Sequence, residues 1–199
     1  MRSVLFGLAA GLLACGPASA ERFTNSVVGL SIEKPPDWCV LSAEANAEDH
    51  RKIETANPQL RETIRKDDYV PLFAFTRYAG SRRGLTSTVK VGTRPAGPLE
   101  GQSGQQLLQE MLPPLRSLMA DLKVVTAPEQ VRLASKDAGH MALTYTLNAN
   151  GGSWRIASEI WAIPRGKYFV VAGATYPPDG EAGDRAAVMK VVRSLELTN

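Results

Sequence analysis

Residues His140 to Thr175 read HMALTYTLNANGGSWRIASEIWAIPRGKYFVVAGAT. Three runs rich in strand-favouring residues, His140–Leu147, Ser153–Ile163 and Tyr168–Thr175, are separated by two turn signals. Asn148–Gly152, NANGG, brings asparagine and glycine, which accept positive φ. Pro164–Lys167, PRGK, supplies the second break. Strands joined so tightly pair antiparallel, so this stretch predicts a meander. Along its middle strand the side chains alternate. Trp154, Ile156, Ser158 and Ile160 take one face; Arg155, Ala157, Glu159, Trp161 and Ile163 take the other. Core packing accounts for both tryptophans. Glu159, between Ala157 and Trp161, is a candidate for a partly buried carboxylate or a cross-strand partner of a basic residue.

Toward the N-terminus, Val124–Val125 and Glu129–Leu133 are short strand candidates. Ahead of them, Leu108, Met111, Leu112, Leu115, Leu118 and Met119 fall on one stripe of a helix over Gln105–Ala120, capped by Ser103. Pro113-Pro114 is expected to kink or split it. Gly92 to Gly104, with four glycines and two prolines, reads as loop. Leu72–Tyr78 (LFAFTRY) and Thr86–Thr93 (TSTVKVGT) read as strands joined by a hairpin over Ala79–Leu85 (AGSRRGL). Further upstream, Phe23–Asn25 and Leu30–Glu33 form a short strand pair about Val27-Val28-Gly29, ended by Pro35-Pro36. Trp38–Leu41 re-enters the core, and Ser42 caps a polar helical segment over Ala43–Asn57, which Pro58 interrupts before another turn or two at Gln59–Lys66. Downstream of the meander a helix runs from Asp179 or Gly180 to Arg193, and Leu195–Leu197 closes as a strand. The class is α+β: an antiparallel β-sheet flanked by helices.

The opening FTNSVVGLSIEKPPDW (residues 23 to 38) and the ending AAVMKVVRSLEL (residues 186 to 197) resemble the PsbP-like fold. Its members include an extrinsic photosystem II subunit, a eukaryotic Ran-binding protein and bacterial envelope proteins of the DcrB and LpqN type. The resemblance covers chiefly those two stretches, with compatible strand order between. It implies an α/β/α sandwich and a binding or assembly role more than catalysis. It carries no functional residue onto this chain.

The first twenty residues hold one charge, Arg2, then an apolar run from Val4 to Ala14. Eleven residues suit a signal-peptide core and fall short of the roughly 20 that cross a bilayer. Two cleavage signals follow. Ala18-Ser19-Ala20, behind a Gly16-Pro17 breaker, is an A-x-A site that frees the chain at Glu21. Leu12-Leu13-Ala14-Cys15 is a lipobox that would leave diacylglycerol on Cys15 and a membrane anchor. Both export the chain from a bacterial cytoplasm. The better-formed A-x-A site favours a free periplasmic protein, with a membrane-anchored lipoprotein as the alternative. The expected organisation is a signal peptide over 1–20 and one domain over 21–199. Losing the leader takes one of the 23 basic residues and none of the 20 acidic ones, so 22 against 20 leaves a net charge of +2. Of the two cysteines, Cys39 lies between Trp38 and Val40 and reads as a small buried hydrophobe.

So balanced a charge excludes nucleic acid as a global partner. Arg77, Arg82, Arg83, Lys90 and Arg94 are nonetheless five basic residues with no acid among them. Lys90 and Arg94, four apart on a strand, share a face. With Arg77 they could present a positive edge to an acidic partner or to anionic head groups; protection of an exposed strand from pairing is the simpler reading. His50 follows Glu48-Asp49, but neighbours on a helix diverge by about 100° and do not converge as metal ligands do. His140 reads as structural or surface. Gly101-Gln102-Ser103-Gly104 is no nucleophile elbow, and the sequence shows no phosphate loop, cofactor motif or paired-cysteine metal site. The sequence therefore points to a non-enzymatic envelope protein acting through a surface, with a carrier of small molecules or lipids in an apolar pocket as the alternative. The partner is an unnamed protein or anionic surface of the envelope, the membrane entering only through a lipidated Cys15.

Overall fold

The alternation expected of residues 140–175 is realised in the computed structural model, which describes residues 19–45, 53–54, 71–77, 86–119, 121–149, 152–178 and 184–198. The meander is longer than its sequence signals. Strand β8 spans Lys136–Ala149, β9 Gly152–Arg165 and β10 Tyr168–Tyr176. Registers put His140 opposite Trp161 and Glu159 opposite Ala174. The second turn is built on Gly166, at φ 64; the tip of the first lies outside the described residues.

The remaining strands are β1 (Glu21–Asn25), β2 (Leu30–Lys34), β3 (Cys39–Val40), β4 (Ile53–Glu54), β5 (Phe73–Thr76), β6 (Thr88–Pro95), β7 (Lys123–Leu133) and β11 (Glu196–Leu197). Among the described residues the main sheet runs β3-β5-β6-β10-β9-β8-β4, with β7 on the edge beside β8. A small sheet, β1-β2-β11, joins the two ends of the chain. The antiparallel β5–β6 pairing agrees with the expected hairpin, whose tip at 78–85 is not among the described residues.

Each sheet face has its own helix. Helix α1 (Gly104–Leu118) covers one face, where Leu108, Met141, Leu143 and Ala162 are buried together. Helix α2 (Asp184–Arg193) covers the other, bringing Val188, Val191 and Val192 against Phe75, Val89, Val91, Ala172 and Ala174. Leu30, Ile32 and Trp38 of the small sheet and its following turn complete that core. The result is an α+β fold with an antiparallel sheet between helices.

The structure corrects several expectations. Helix α1 runs unsplit through Pro113 and Pro114. Both prolines are exposed, and so are Gln109 and Glu110, whose carbonyls lose their usual donors to the proline rings and meet water instead. Strand β6 continues to Pro95 into the stretch read as loop, because Gly92–Pro95 pair with Tyr168–Val171. Val124 and Glu129 belong to one strand, bulged between Val124 and Glu129. Ile53–Glu54, inside the expected polar helix, pair instead with Asn148–Ala149 at the end of β8; β-branched Ile53 suits an extended backbone. The cap before them holds, since Ala45 donates to Ser42 Oγ at 3.1 Å. His50, Pro58 and Gln59–Lys66 lie outside the described residues. Cys39 is buried as expected, at 3 % exposure. It takes part in a disulfide, however, and is not the lone thiol the cleaved chain would carry; Cys15 is outside the described residues.

Two close approaches hold α1 in place. Gly104 packs on Gly139 and Ala162 so tightly that a Cβ on either glycine would collide with backbone. Ser103 and Gln106 then close a capping box: Ser103 Oγ accepts from Gln106 N at 3.2 Å, and Gln106 Oε1 from Ser103 N at 2.8 Å.

Candidate functional site

The densest polar cluster lies on the α2 face, around Glu159. Its position follows from the pleat of β9, which alternates Ala157, Glu159 and Trp161 toward that face. Glu159 is 1 % exposed, and a carboxylate so buried needs donors. It has them from three elements. Tyr176 of β10 donates its hydroxyl to Oε1 at 2.8 Å. Arg185 of α2 donates Nε to Oε1 at 2.7 Å and Nη2 to Oε2 at 3.3 Å. His140 of β8 places Nε2 3.0 Å from Oε2. The other ring nitrogen, Nδ1, is 3.1 Å from Glu129 Oε1 on β7. The ring stacks on Trp161 with centroids 5.0 Å apart.

The electrostatics follow from these contacts. Burial alone would raise the Glu159 pKa, but hydrogen bonds from His140, Arg185 and Tyr176 outweigh it and bring it to about 2. Burial likewise opposes a charged His140 ring. The bonds to Glu159 and Glu129 overcome it and hold the His140 pKa above its ordinary value. Burial, then the bond to Glu159, pushes the Tyr176 hydroxyl up to about 12, so it remains a donor. An imidazolium donates from both nitrogens, and here both meet carboxylates. With each ring nitrogen so occupied, the histidine braces strands; it has no nitrogen turned to a substrate.

A second cluster adjoins it. Asp184, 5 % exposed at the first position of α2, accepts from Arg77 Nη1 and Ser87 Oγ, each at 2.9 Å. Arg77 also lies 3.8 Å from Asp37. Arg77 is thus turned to the α2 side. Lys90 and Arg94 alternate with the core residues Val89 and Val91 and therefore point to the opposite face. The pair Lys90 and Arg94 shares a face as expected; Arg77 does not join it. Arg94 is exposed and Lys90 half-buried. Arg82, Arg83 and Cys15 are outside the described residues. A third buried charge, Lys34 at 2 % exposure, donates to the carbonyls of Trp38 (3.0 Å) and Pro35 (3.3 Å) and so fastens the turn that ends β2.

Sequence reading singled out Glu159 as a buried carboxylate or cross-strand partner, and the geometry makes it both. His140, expected to be structural or at the surface, is structural by its contacts, but its two acidic partners are 11 and 19 residues away. Only strand register reveals them. Among the described residues no group of three or more His, Cys, Asp or Glu side chains is placed to hold a metal ion. No described helix is long and apolar enough to cross a membrane.

No protein-family model matches the sequence, and no curated protein matches it. Solved structures do. Cyanobacterial PsbP from Synechocystis sp. PCC 6803 superposes with a TM-score of 0.50 at 10% identity, over 96% of this chain and 100% of its own. This chain has the PsbP-like fold. A Pseudomonas aeruginosa protein of unknown function, PA94, described as a putative regulator, gives 0.51 at 9% identity over 90% of this chain and 98% of its own. The Saccharomyces cerevisiae Ran-binding protein Mog1p gives 0.51 at 9% identity over 89% and 95%. The chain also spans about half, 49%, of a Bacteroides thetaiotaomicron protein, with a TM-score of 0.46 at 13% identity over 91% of this chain. The PsbP-like likeness expected from residues 23 to 38 and 186 to 197 therefore extends over the length of the chain.

Proposed function

We propose that this is an exported, non-enzymatic envelope protein whose single domain, from residue 21 onward, binds or helps assemble another component through its surface. The observation that carries this reading is the saturation of the Glu159 cluster. Its carboxylate, ring nitrogens, hydroxyl and guanidinium satisfy one another, where general acid–base chemistry needs a group within reach of substrate. The PsbP-like fold supports it further: among the neighbours, the yeast protein is itself a binding protein for Ran.

The surface proposed for contact is the basic one. Lys90 and Arg94 lie on the sheet face opposite α2, and Arg82 and Arg83 fall between β5 and β6 in the sequence. Arg77, on the α2 side and bound to Asp184, stands apart from that surface. Such a surface suits an acidic protein or anionic head groups, through contacts that salt weakens. Arg82→Glu with Arg83→Glu, and separately Lys90→Glu with Arg94→Glu, are expected to weaken cosedimentation with phosphatidylglycerol vesicles, or capture by an acidic partner, at low salt. Binding unchanged in both variants would remove the basic surface from the account.

A further inference from the structure

Strand β7 lies at the edge of the sheet, and among the described residues it pairs with β8 alone. Its pairing is regular from Glu129 to Leu133 but shifts register between Val124 and Thr126 and again between Thr126 and Glu129. The middle of the strand is therefore short of ladder bonds. Two side chains stitch it down. From α1, Gln105 Nε2 donates to the Pro128 carbonyl at 3.0 Å. From β8, His140 Nδ1 meets Glu129 Oε1 at 3.1 Å.

We propose that His140 is a pH-operated clip: protonated, it fastens the bulged middle of β7 to the sheet through Glu129; neutral, it releases Glu129 and keeps Glu159.

The chemistry decides which bond is kept. A neutral ring has one N–H and one lone pair. The lone pair must then face one of two carboxylates. Glu159 is 1 % exposed and fixed by Tyr176 of β10 and Arg185 of α2. The Glu129 side chain is 52% exposed and free to turn to water. The proton therefore stays on Nε2, and the Glu129 bond is the one lost. The groups facing the ring are Glu129 from β7, Glu159 from β9, Tyr176 from β10 and Arg185 from α2, with Trp161 beneath it; α1 lies on the other side of the sheet. Of the two cations, Arg185 stays charged throughout, so the ring is the part that switches. The raised His140 pKa places the change above pH 6.5.

Amide hydrogen exchange on the full chain, at about pH 5.5 and about pH 8.5 and corrected for intrinsic rates, tests this. Protection of the amides between Val125 and Gln130 is expected to fall roughly fivefold at the higher pH, as for one exposed ion pair, while β9 and β10 are unchanged. Glu129→Gln, a surface change that leaves the fold intact, is expected to abolish the step, and His140 is expected to titrate above 6.5 by NMR and lower in Glu129→Gln. Equal protection at both pH values, a step that survives in Glu129→Gln, or a ring titrating at or below its ordinary value would each overturn the proposal.

Discussion

Arg185 Nε lies 2.7 Å from Glu159 Oε1, joining the first turn of α2 to the middle of β9. The residue before it, Asp184, reaches the other way to Arg77 and Ser87. Adjacent residues of opposite sign thus dock one helix end onto β9 on one side and onto the β5–β6 pair on the other. Asp184 is also well placed for the helix dipole, which favours a negative charge at the N-terminus. The Glu159 cluster is the point at which β7, β8, β9, β10 and α2 are joined by side chains.

Glu159→Gln keeps the shape and removes the charge that three elements share. It is expected to cost about 2 kcal/mol, the worth of charge-assisted bonds lost in a buried site. A double-mutant cycle with Arg185→Gln, read by urea unfolding, is expected to show coupling of about 1–2 kcal/mol. Additive effects would mean that the 2.7 Å contact contributes nothing net.

The same cluster sets a pH window. Glu159 falls from 4.5 to about 2 on folding, so its contribution is full above pH 4.5 and is lost as pH falls through about 2. His140 rises from 6.5, so its contribution is full below 6.5 and is lost as pH rises through the folded value. The cluster therefore stabilises most between about pH 4.5 and 6.5. Unfolding midpoints measured across pH are expected to decline on both sides of that window. His140→Gln should flatten the alkaline decline and, by weakening one of the bonds that lower Glu159, reduce the acid one as well.

Much of this arrangement was legible in the sequence, and what was not has a physical reason. NANGG and PRGK announced the meander, and alternation along β9 sorted Ala157, Glu159 and Trp161 from Ser158 and Ile160 correctly. A turn signal does not fix register, however. It is the pairing of Ala149 with Gly152 that puts His140 opposite Trp161 and diagonal to Glu159; a slip of one residue would turn the ring to the other face. Pro113-Pro114 does not split α1, because the Gln109 and Glu110 carbonyls that lose their donors lie on the exposed side of the helix. Ile53 misled because its polar neighbours dominate a helical reading, while its pairing with β8 is a contact across 96 residues. Nor did any pattern distinguish Arg77, tied to Asp184, from Lys90 and Arg94 on the other face.

Gly104 and Gly139 were likewise invisible as a pair. Gly139→Ala is expected to destabilise by about 2 kcal/mol, because the added methyl meets the Gly104 backbone and cannot be relieved by a rotamer change. Thermal unfolding reads this directly, and Gly173→Ala, with open space around its new methyl, is the control expected to change little.

Ser103→Ala removes half of the capping box on α1. A loss of about 1 kcal/mol is expected, read by chemical denaturation. Ser103→Asp should restore most of it, since a carboxylate at that position accepts the same backbone bond.

Export is the claim on which the envelope role stands, and intact mass spectrometry of the chain recovered from fractionated cells tests it most directly. The account predicts a periplasmic species beginning at Glu21. An acylated Cys15 would replace release with anchoring. A stable, unprocessed chain beginning at Met1 in the cytosol would contradict the account.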